Sequence, residues 1–252
     1  MLIGRIVRVL ELIQPPGAFS ASLTWPRFSL AAHQMVPRAK LAGVEPKTVV
    51  DVGANLGQFA VASSRLFQGA AVFPIEPDPR VAEQLSRNVG MPTADNVRVT
   101  AVGDSVGTAT FHVNRDAQVS SLLPLGTDRI ESFPGSRVIE EMSVPVTTLD
   151  ALYDGVALAE PVLLKIDVQG FEDRVIVGAG SFLERVRWVL VEVSFSRLYE
   201  GEGDFETIVD LLREHGLQFV RPLNFHILPR TSEIIEMDAL FEARLPRQTA
   251  IS

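Results

Sequence analysis

Three features have residue types and spacings that could do chemistry. The first is the turn Asp51-Val-Gly-Ala-Asn-Leu-Gly57, with the spacing D-x-G-x-N-x-G. Gly53 and Gly57 carry no Cβ, so a ligand or a neighbouring backbone can approach closely. The second is Glu76, 19 positions after Gly57, where a carboxylate can accept hydrogen bonds from both hydroxyls of a ribose. The third is a pair of acids, Asp167 and Glu192, each at or near the end of an apolar run. Asp51 discriminates among nucleosides. Beside a pyrophosphate its charge would repel; beside the ammonium and sulfonium of S-adenosylmethionine it attracts. Asp51 and Glu76 together therefore favour a cationic nucleoside over a dinucleotide.

These residues need a scaffold to converge. Thr48–Val52 reads as a buried strand, 58–67 as a helix, 70–75 as a second strand, 79–88 as a second helix and 97–102 as a third strand. This alternation predicts βαβ units and an α/β fold, with a mostly parallel sheet and helices on both faces. Gly107–Val113 alternates like an antiparallel strand, a polar loop runs to about Ser136, Ser143–Thr148 is extended, and Leu149–Tyr153 is a short helix. The βαβ rhythm returns with a strand over Val162–Asp167, helix over most of Glu172–Val186, a strand over Trp188–Val193 and a helix over Phe205–His215 that Gly216 ends. Leu217–Val220 and Phe225–Leu228 read as a closing C-terminal antiparallel hairpin. The organisation is a helical N-terminal extension over 1–44 and a main domain over 45–252.

Composition removes several function classes. With 252 residues, 46% of them hydrophobic, the chain can bury a core. It has no Cys, which excludes disulfides, thiolate metal sites and cysteine nucleophiles. A net charge of −8 speaks against nucleic acid as a partner. No apolar stretch is long enough to span a membrane. Arg5, Arg8 and Glu11 recur every three residues in Met1–Ile13, which predicts an amphipathic helix that caps the domain or makes a peripheral membrane contact. No signal-cleavage pattern follows it, and the expected location is cytoplasmic.

The segments Val49-Val-Asp-Val-Gly-Ala-Asn-Leu-Gly-Gln-Phe59, Ile75-Glu-Pro-Asp-Pro79, Leu164-Lys-Ile-Asp-Val-Gln-Gly-Phe-Glu172 and Val191-Glu-Val193 together resemble the FkbM-type S-adenosylmethionine-dependent methyltransferases. The resemblance runs from about residue 45 to 230. Gln169 stands where that family more often has Glu. The resemblance implies a class I methyltransferase fold, Rossmann-like, acting on hydroxyl oxygens of sugars, glycolipids, polyketides or related metabolites. It implies that Asp51, Gly53, Ala54, Asn55 and Gly57 hold the methionine moiety and Glu76 the ribose, flanked by Pro77 and Asp78. Ala101 and Val102 would line the adenine pocket, and Ser120 and Ser121 would lie close to the cofactor.

A sugar hydroxyl is a poor nucleophile at neutral pH and needs a general base or a metal. In such a fold Asp167 and Glu192 stand on the crevice side of adjacent strands. Two oxygen ligands there suit Mg²⁺; without a metal, Asp167 would be the base or an orienting group and Glu192 would pair with Lys165 or an arginine. His226, in the C-terminal hairpin, is a second candidate base. Two other classes compete with methyl transfer: an NAD(P)-dependent oxidoreductase, which the glycine turn permits, and a binding or scaffold protein without turnover. The acceptor is a small-molecule or glycan hydroxyl, and a homo-oligomer is left open.

Overall fold

The computed structural model describes residues 16–132, 136–228 and 232–244; the expected helix over Met1–Ile13 lies outside them. Two helices come first, α1 (Ala18–Thr24) and α2 (Leu30–Leu41). The Ser29 hydroxyl caps α2 by accepting the Ala32 N–H. Then follow β1 (Thr48–Val52), α3 (Gln58–Leu66), β2 (Ala71–Ile75) and α4 (Pro79–Val89). The middle holds β3 (Ala101–Val102), β4 (Gly107–Asn114), α5 (Thr127–Ser132), β5 (Val138–Thr147) and α6 (Leu149–Leu152). Last come β6 (Val162–Ile166), α7 (Glu172–Val177), β7 (Val186–Ser194), α8 (Phe205–Glu214), β8 (Leu217–Ile227) and β9 (Ile234–Ala243).

The main sheet has the order β2-β1-β6-β7-β9-β8. β2, β1, β6 and β7 run parallel; β9 is antiparallel to both β7 and β8. From β1 the chain goes to β2 on one side and later returns to β6 on the other. The strand order therefore reverses at β1/β6, where a crevice opens beyond the carboxyl ends. Alternate residues of the central strands feed two cores. Val50, Val52, Leu164, Ile166, Val189 and Val191 pack with α7 and α8. Val49, Leu163, Trp188 and Leu190 pack on the opposite face with α3, Leu85 of α4, and Ala32, Met35, Val36 and Ala39 of α2. Among the described residues no helix is long and apolar enough to cross a membrane.

Four expectations need correction. The third strand does not extend the main sheet: only Arg98 bridges to Ile75, and β3 joins a second sheet of order β3-β5-β4. β5 supplies its backbone partners through the Ala101/Val146 and Val102/Thr147 pairs. β5 itself is ten residues long, not a short piece, and is mostly exposed, so no apolar alternation announces it. The helix after β6 is interrupted: it ends at Val177, a 3₁₀ turn follows over Phe182–Arg185, and Gly178 between them lies against the Gly103 carbonyl, where a Cβ would fall 1.9 Å from that oxygen. The C-terminal hairpin is present, but Leu217–Val220 and Phe225–Ile227 belong to one strand, β8, which pairs with β9. β8 passes through Pro222 because it is the sheet edge and register shifts absorb the missing donor.

Candidate functional site

A cavity of about 640 Å³ opens at the carboxyl ends of β1, β2, β6 and β7. One half is built by the two turns that follow β1 and β2. Gly53 takes φ +81° and Asn55 takes φ +48°, so the chain doubles back under Ile75, whose carbonyl accepts the Gly53 and Ala54 N–H groups. The Asn55 side chain donates to the Ala117 carbonyl at 2.9 Å, tying this turn to the loop that covers the cavity. Glu76 Oε2 accepts the Asn55 N–H at 2.9 Å and Oε1 accepts the Asp78 N–H at 3.0 Å. Each oxygen keeps a second lone pair for a ligand hydroxyl. Asp78 lines the cavity but also caps α4, and Arg80 grips both of its oxygens. Pro77, Ala101 and Val102 line the same half, with Val81, Phe111 and Phe171 as apolar wall.

Asp51 is fully buried, lines the cavity, and has no hydrogen bond to either carboxylate oxygen. Lys165, its register partner on β6, brings Nζ to 4.0 Å. Burial pushes the Asp51 carboxyl up to about 6, and that of Glu76 to about 7. A buried carboxylate without a hydrogen-bond donor is costly unless a cation or donor joins it. The residues therefore fit S-adenosylmethionine: an ammonium would meet Asp51 and the ribose hydroxyls Glu76.

The other half is acidic. Asp167, Glu192, Glu236 and Asp238 line it together with Lys165, Arg129 and His226. Strand register sets the rows: Glu192 of β7 lies beside Asp238 of β9, and Glu236 of β9 beside His226 of β8. Burial pushes the Asp167 carboxyl up, but the Lys165 ammonium at 2.9 Å and the Gln169 amide outweigh it and hold it low. Burial, then the neighbouring acids, push Glu192 well up. Burial likewise raises Glu236 and Asp238. The His226 side chain, 45% exposed, places Nε2 4.0 Å from Glu192 and Nδ1 4.0 Å from Glu236.

Of the two alternatives for Asp167 and Glu192, Mg²⁺ does not fit. Gln169 Nε2 donates to Asp167 Oδ1 at 3.0 Å and to Glu192 Oε2 at 2.6 Å, so an amide nitrogen stands between the two acids. Lys165, expected as a partner of Glu192, is bound to Asp167 instead. Among the described residues no group of three or more His, Asp or Glu side chains is arranged to hold a metal ion.

Two expected cofactor residues lie off the cavity. Gly57 takes φ +93° at the start of α3, and a Cβ on it would meet Leu85 Cδ1 at 2.9 Å; its smallness serves helix packing. Ser121 donates to the Gln169 carbonyl at 2.6 Å and fixes a loop, whereas Ser120 lines the cavity. Of the two expected reasons for Gly53, the neighbouring backbone is the one seen: a Cβ there would lie 1.8 Å from the Asp167 carbonyl oxygen. Sequence reasoning gave no role to Gln169, Glu172, Tyr199, Glu236 or Asp238. For the last two a signal existed, since acids alternate on one face of the apolar run Ile234–Phe241.

The family model described as "Methyltransferase FkbM domain" matches residues 51–219. A 2-O-methyltransferase, NoeI of Sinorhizobium fredii, is 28% identical over 93% of this chain and 100% of its own length. The hexuronic acid methyltransferase AglP of Haloferax volcanii is 29% identical over 67% of this chain and 65% of its own. The 31-O-demethyl-FK506 methyltransferase FkbM of Streptomyces tacrolimicus is 27% identical over 68% of this chain and 73% of its own.

Proposed function

The chain belongs to the FkbM methyltransferase domain family, and from that premise we propose that it moves the methyl group of S-adenosylmethionine to a hydroxyl oxygen of a sugar or related metabolite. The names of its relatives support an oxygen acceptor, two specifying O-methylation and one a hexuronic acid. The observation that carries the reading is Asp51, buried without a hydrogen-bond donor on the wall of the cavity that Glu76 shares. Family membership points away from an NAD(P) oxidoreductase and from a scaffold without turnover. We read 45–252 as the catalytic domain and 1–44 as its extension.

When bound, S-adenosylmethionine supplies a methyl carbon activated by a sulfonium leaving group. Asp51 holds the ammonium, Glu76 the ribose hydroxyls, and the apolar wall of Val81, Ala101, Val102 and Phe111 the adenine. The turn Gly53–Asn55 fixes the position of both acids. The acceptor enters the acidic half, where carboxyl oxygens accept hydrogen bonds from its hydroxyls.

His226 is the base in this reading. A ring nitrogen takes the hydroxyl proton; Glu192 and Glu236 lie 4.0 Å from Nε2 and Nδ1 and keep the ring at the acidic half of the cavity. Asp167 is a poorer base, because donors occupy both of its oxygens and its carboxyl is held low. Its place is to orient the acceptor. Mg²⁺ has no part in this reading.

Two measurements test it. Calorimetry with S-adenosylmethionine and with NADH should show binding of the first alone; binding of NADH alone would overturn it. Incubation with S-adenosylmethionine and a panel of neutral glycosides, uronic acid glycosides and polyketide alcohols should release S-adenosylhomocysteine with one class of acceptor. Methyl transfer to nitrogen alone would overturn the oxygen assignment.

A further inference from the structure

Gln169 sits in the turn between β6 and α7 with φ +59°, a conformation that favours glycine, and both its backbone and its side chain are held. Its carbonyl accepts the Ser121 hydroxyl at 2.6 Å. Its side-chain Oε1 accepts the Tyr199 hydroxyl at 2.8 Å. Its Nε2 donates to Asp167 and to Glu192, at 3.0 and 2.6 Å. The neighbouring Gly170 makes the Tyr199 contact possible: with φ +96° and no Cβ it lets the tyrosine come within what would be 2.8 Å of a side chain. Tyr199 is buried, and its hydroxyl lies 2.8 Å from Oε1 and 3.2 Å from the Val119 carbonyl, with the shorter contact to Gln169.

The ionised Asp167 carboxylate decides which way the amide faces. Reversed, it would set Oε1 against the ionised Asp167 oxygen with no hydrogen between them. Both amide hydrogens are therefore spent on the acids at the ends of two adjacent strands. The space between those acids holds a neutral donor pair, and the Lys165 ammonium occupies the remaining Asp167 oxygen at 2.9 Å. Mg²⁺ needs oxygen ligands at about 2.0–2.1 Å in octahedral array. A nitrogen bearing two hydrogens at the same place excludes that array.

We propose that Gln169 is a positioning residue: its amide, clamped by Tyr199, joins Asp167 to Glu192 where a metal-assisted site would hold a cation, and exchanging it for a carboxylate creates a divalent-cation site. The positioning half rests on the methyl-transfer reading, since the bridge turns Glu192 so that its other oxygen faces His226. The cation half rests on the bridge geometry alone.

The test titrates Mn²⁺ alone into the full-length protein, reading free Mn²⁺ by electron paramagnetic resonance. The wild type takes up no Mn²⁺ that Glu192→Gln alters. Gln169→Glu takes up one ion per chain, at least about tenfold more tightly than the wild type, because three carboxylates then converge; adding Glu192→Gln abolishes the gain. Wild-type uptake that Glu192→Gln abolishes, or no uptake by a folded Gln169→Glu, overturns the proposal. If Gln169→Glu does not fold, the wild-type titration with its Glu192→Gln control decides alone. Calorimetry with S-adenosylmethionine on the same samples keeps the two readings apart. If no sample binds it, the methyl-transfer reading fails while the Mn²⁺ titration still reports on the bridge.

Discussion

The Asp167 carbonyl oxygen occupies the place beside Gly53 where a side chain would begin, 1.8 Å from an ideal Cβ. The turn that would hold the nucleoside and the strand end that would meet the acceptor are thus in direct backbone contact. The two halves of the cavity keep a fixed spacing, which in-line methyl transfer requires.

It follows that Gly53→Ala harms the fold before it harms binding. The positive φ alone costs about 1–3 kcal/mol for a residue with a Cβ, and the clash adds to that. Urea denaturation should show a large fall in midpoint. A Gly53→Ala protein of unchanged stability would show that β1 and β6 can move apart.

Glu76→Gln should weaken S-adenosylmethionine binding by roughly 1.5–3 kcal/mol, since a charge-assisted acceptor is lost. The substitution also sets an amide NH₂ against the Asn55 or Asp78 N–H, so part of the loss is loosening of the turn. Calorimetry measures it. Unchanged affinity in a folded variant would move the ribose elsewhere.

Protons should affect the free and the bound protein in opposite directions. Burial raises the carboxyls of Asp51 to about 6, Glu76 to about 7 and Glu172 to about 8, from ordinary values of 3.8, 4.5 and 4.5. Between about pH 4 and 8 the folded chain holds protons that the unfolded chain has released. The stability contributed by these groups is full below the ordinary values and is lost as pH rises through the folded ones. Asp78 and Asp167 are held low and act only at more acid pH, where their contribution is lost. The unfolding free energy of the free protein should therefore fall from pH 5 to pH 8, by about 1.4 kcal/mol per pH unit for each proton concerned, and the urea midpoint with it. Affinity for S-adenosylmethionine should rise over the same range if, as proposed, ionised Asp51 and Glu76 are the binding forms. Parallel trends in the two measurements would contradict the assignment.

His226→Asn should lower kcat by about 10²–10⁴-fold with an acceptor in hand and leave S-adenosylmethionine affinity nearly unchanged. Its ring lies at the mouth of the cavity, 45% exposed, so the fold does not lean on it. Full activity in His226→Asn would return the base to Asp167.

Glu172→Ala should cost roughly 2–4 kcal/mol of stability. Its two oxygens accept the Val168 and Gly170 N–H groups at 2.9 Å, and both would lose their acceptor. Thermal unfolding reads this directly, and a neutral result would mean that water enters the turn.

Most of the strand and helix order up to α8, the glycine turn and the acids at the strand ends were legible in the chain, because each rests on local pattern; α5, inside the expected polar loop, and β9, beyond the expected hairpin, were not. A buried parallel strand needs an apolar run, and a turn of positive φ needs glycine or asparagine. Asp51, Glu76, Asp167, Glu192 and His226 could be named from type and position, and all of them line one cavity. What lies between them could not be read. Whether two carboxyls at strand ends hold a cation or an amide depends on Gln169, and Gln169 depends on Tyr199, 30 residues away, and on Ser121, 48 residues away. Glu236 and Asp238 reach the acids of β7 only because β9 inserts between β7 and β8, a pairing that no local period encodes. Gly53 and Gly57 look alike in the sequence, but one gives way to a neighbouring strand and the other to a helix. Local sequence determines which elements form and which groups stand at their ends. Long-range register and packing decide which of those groups touch, and hence the charge and ligand preference of the site.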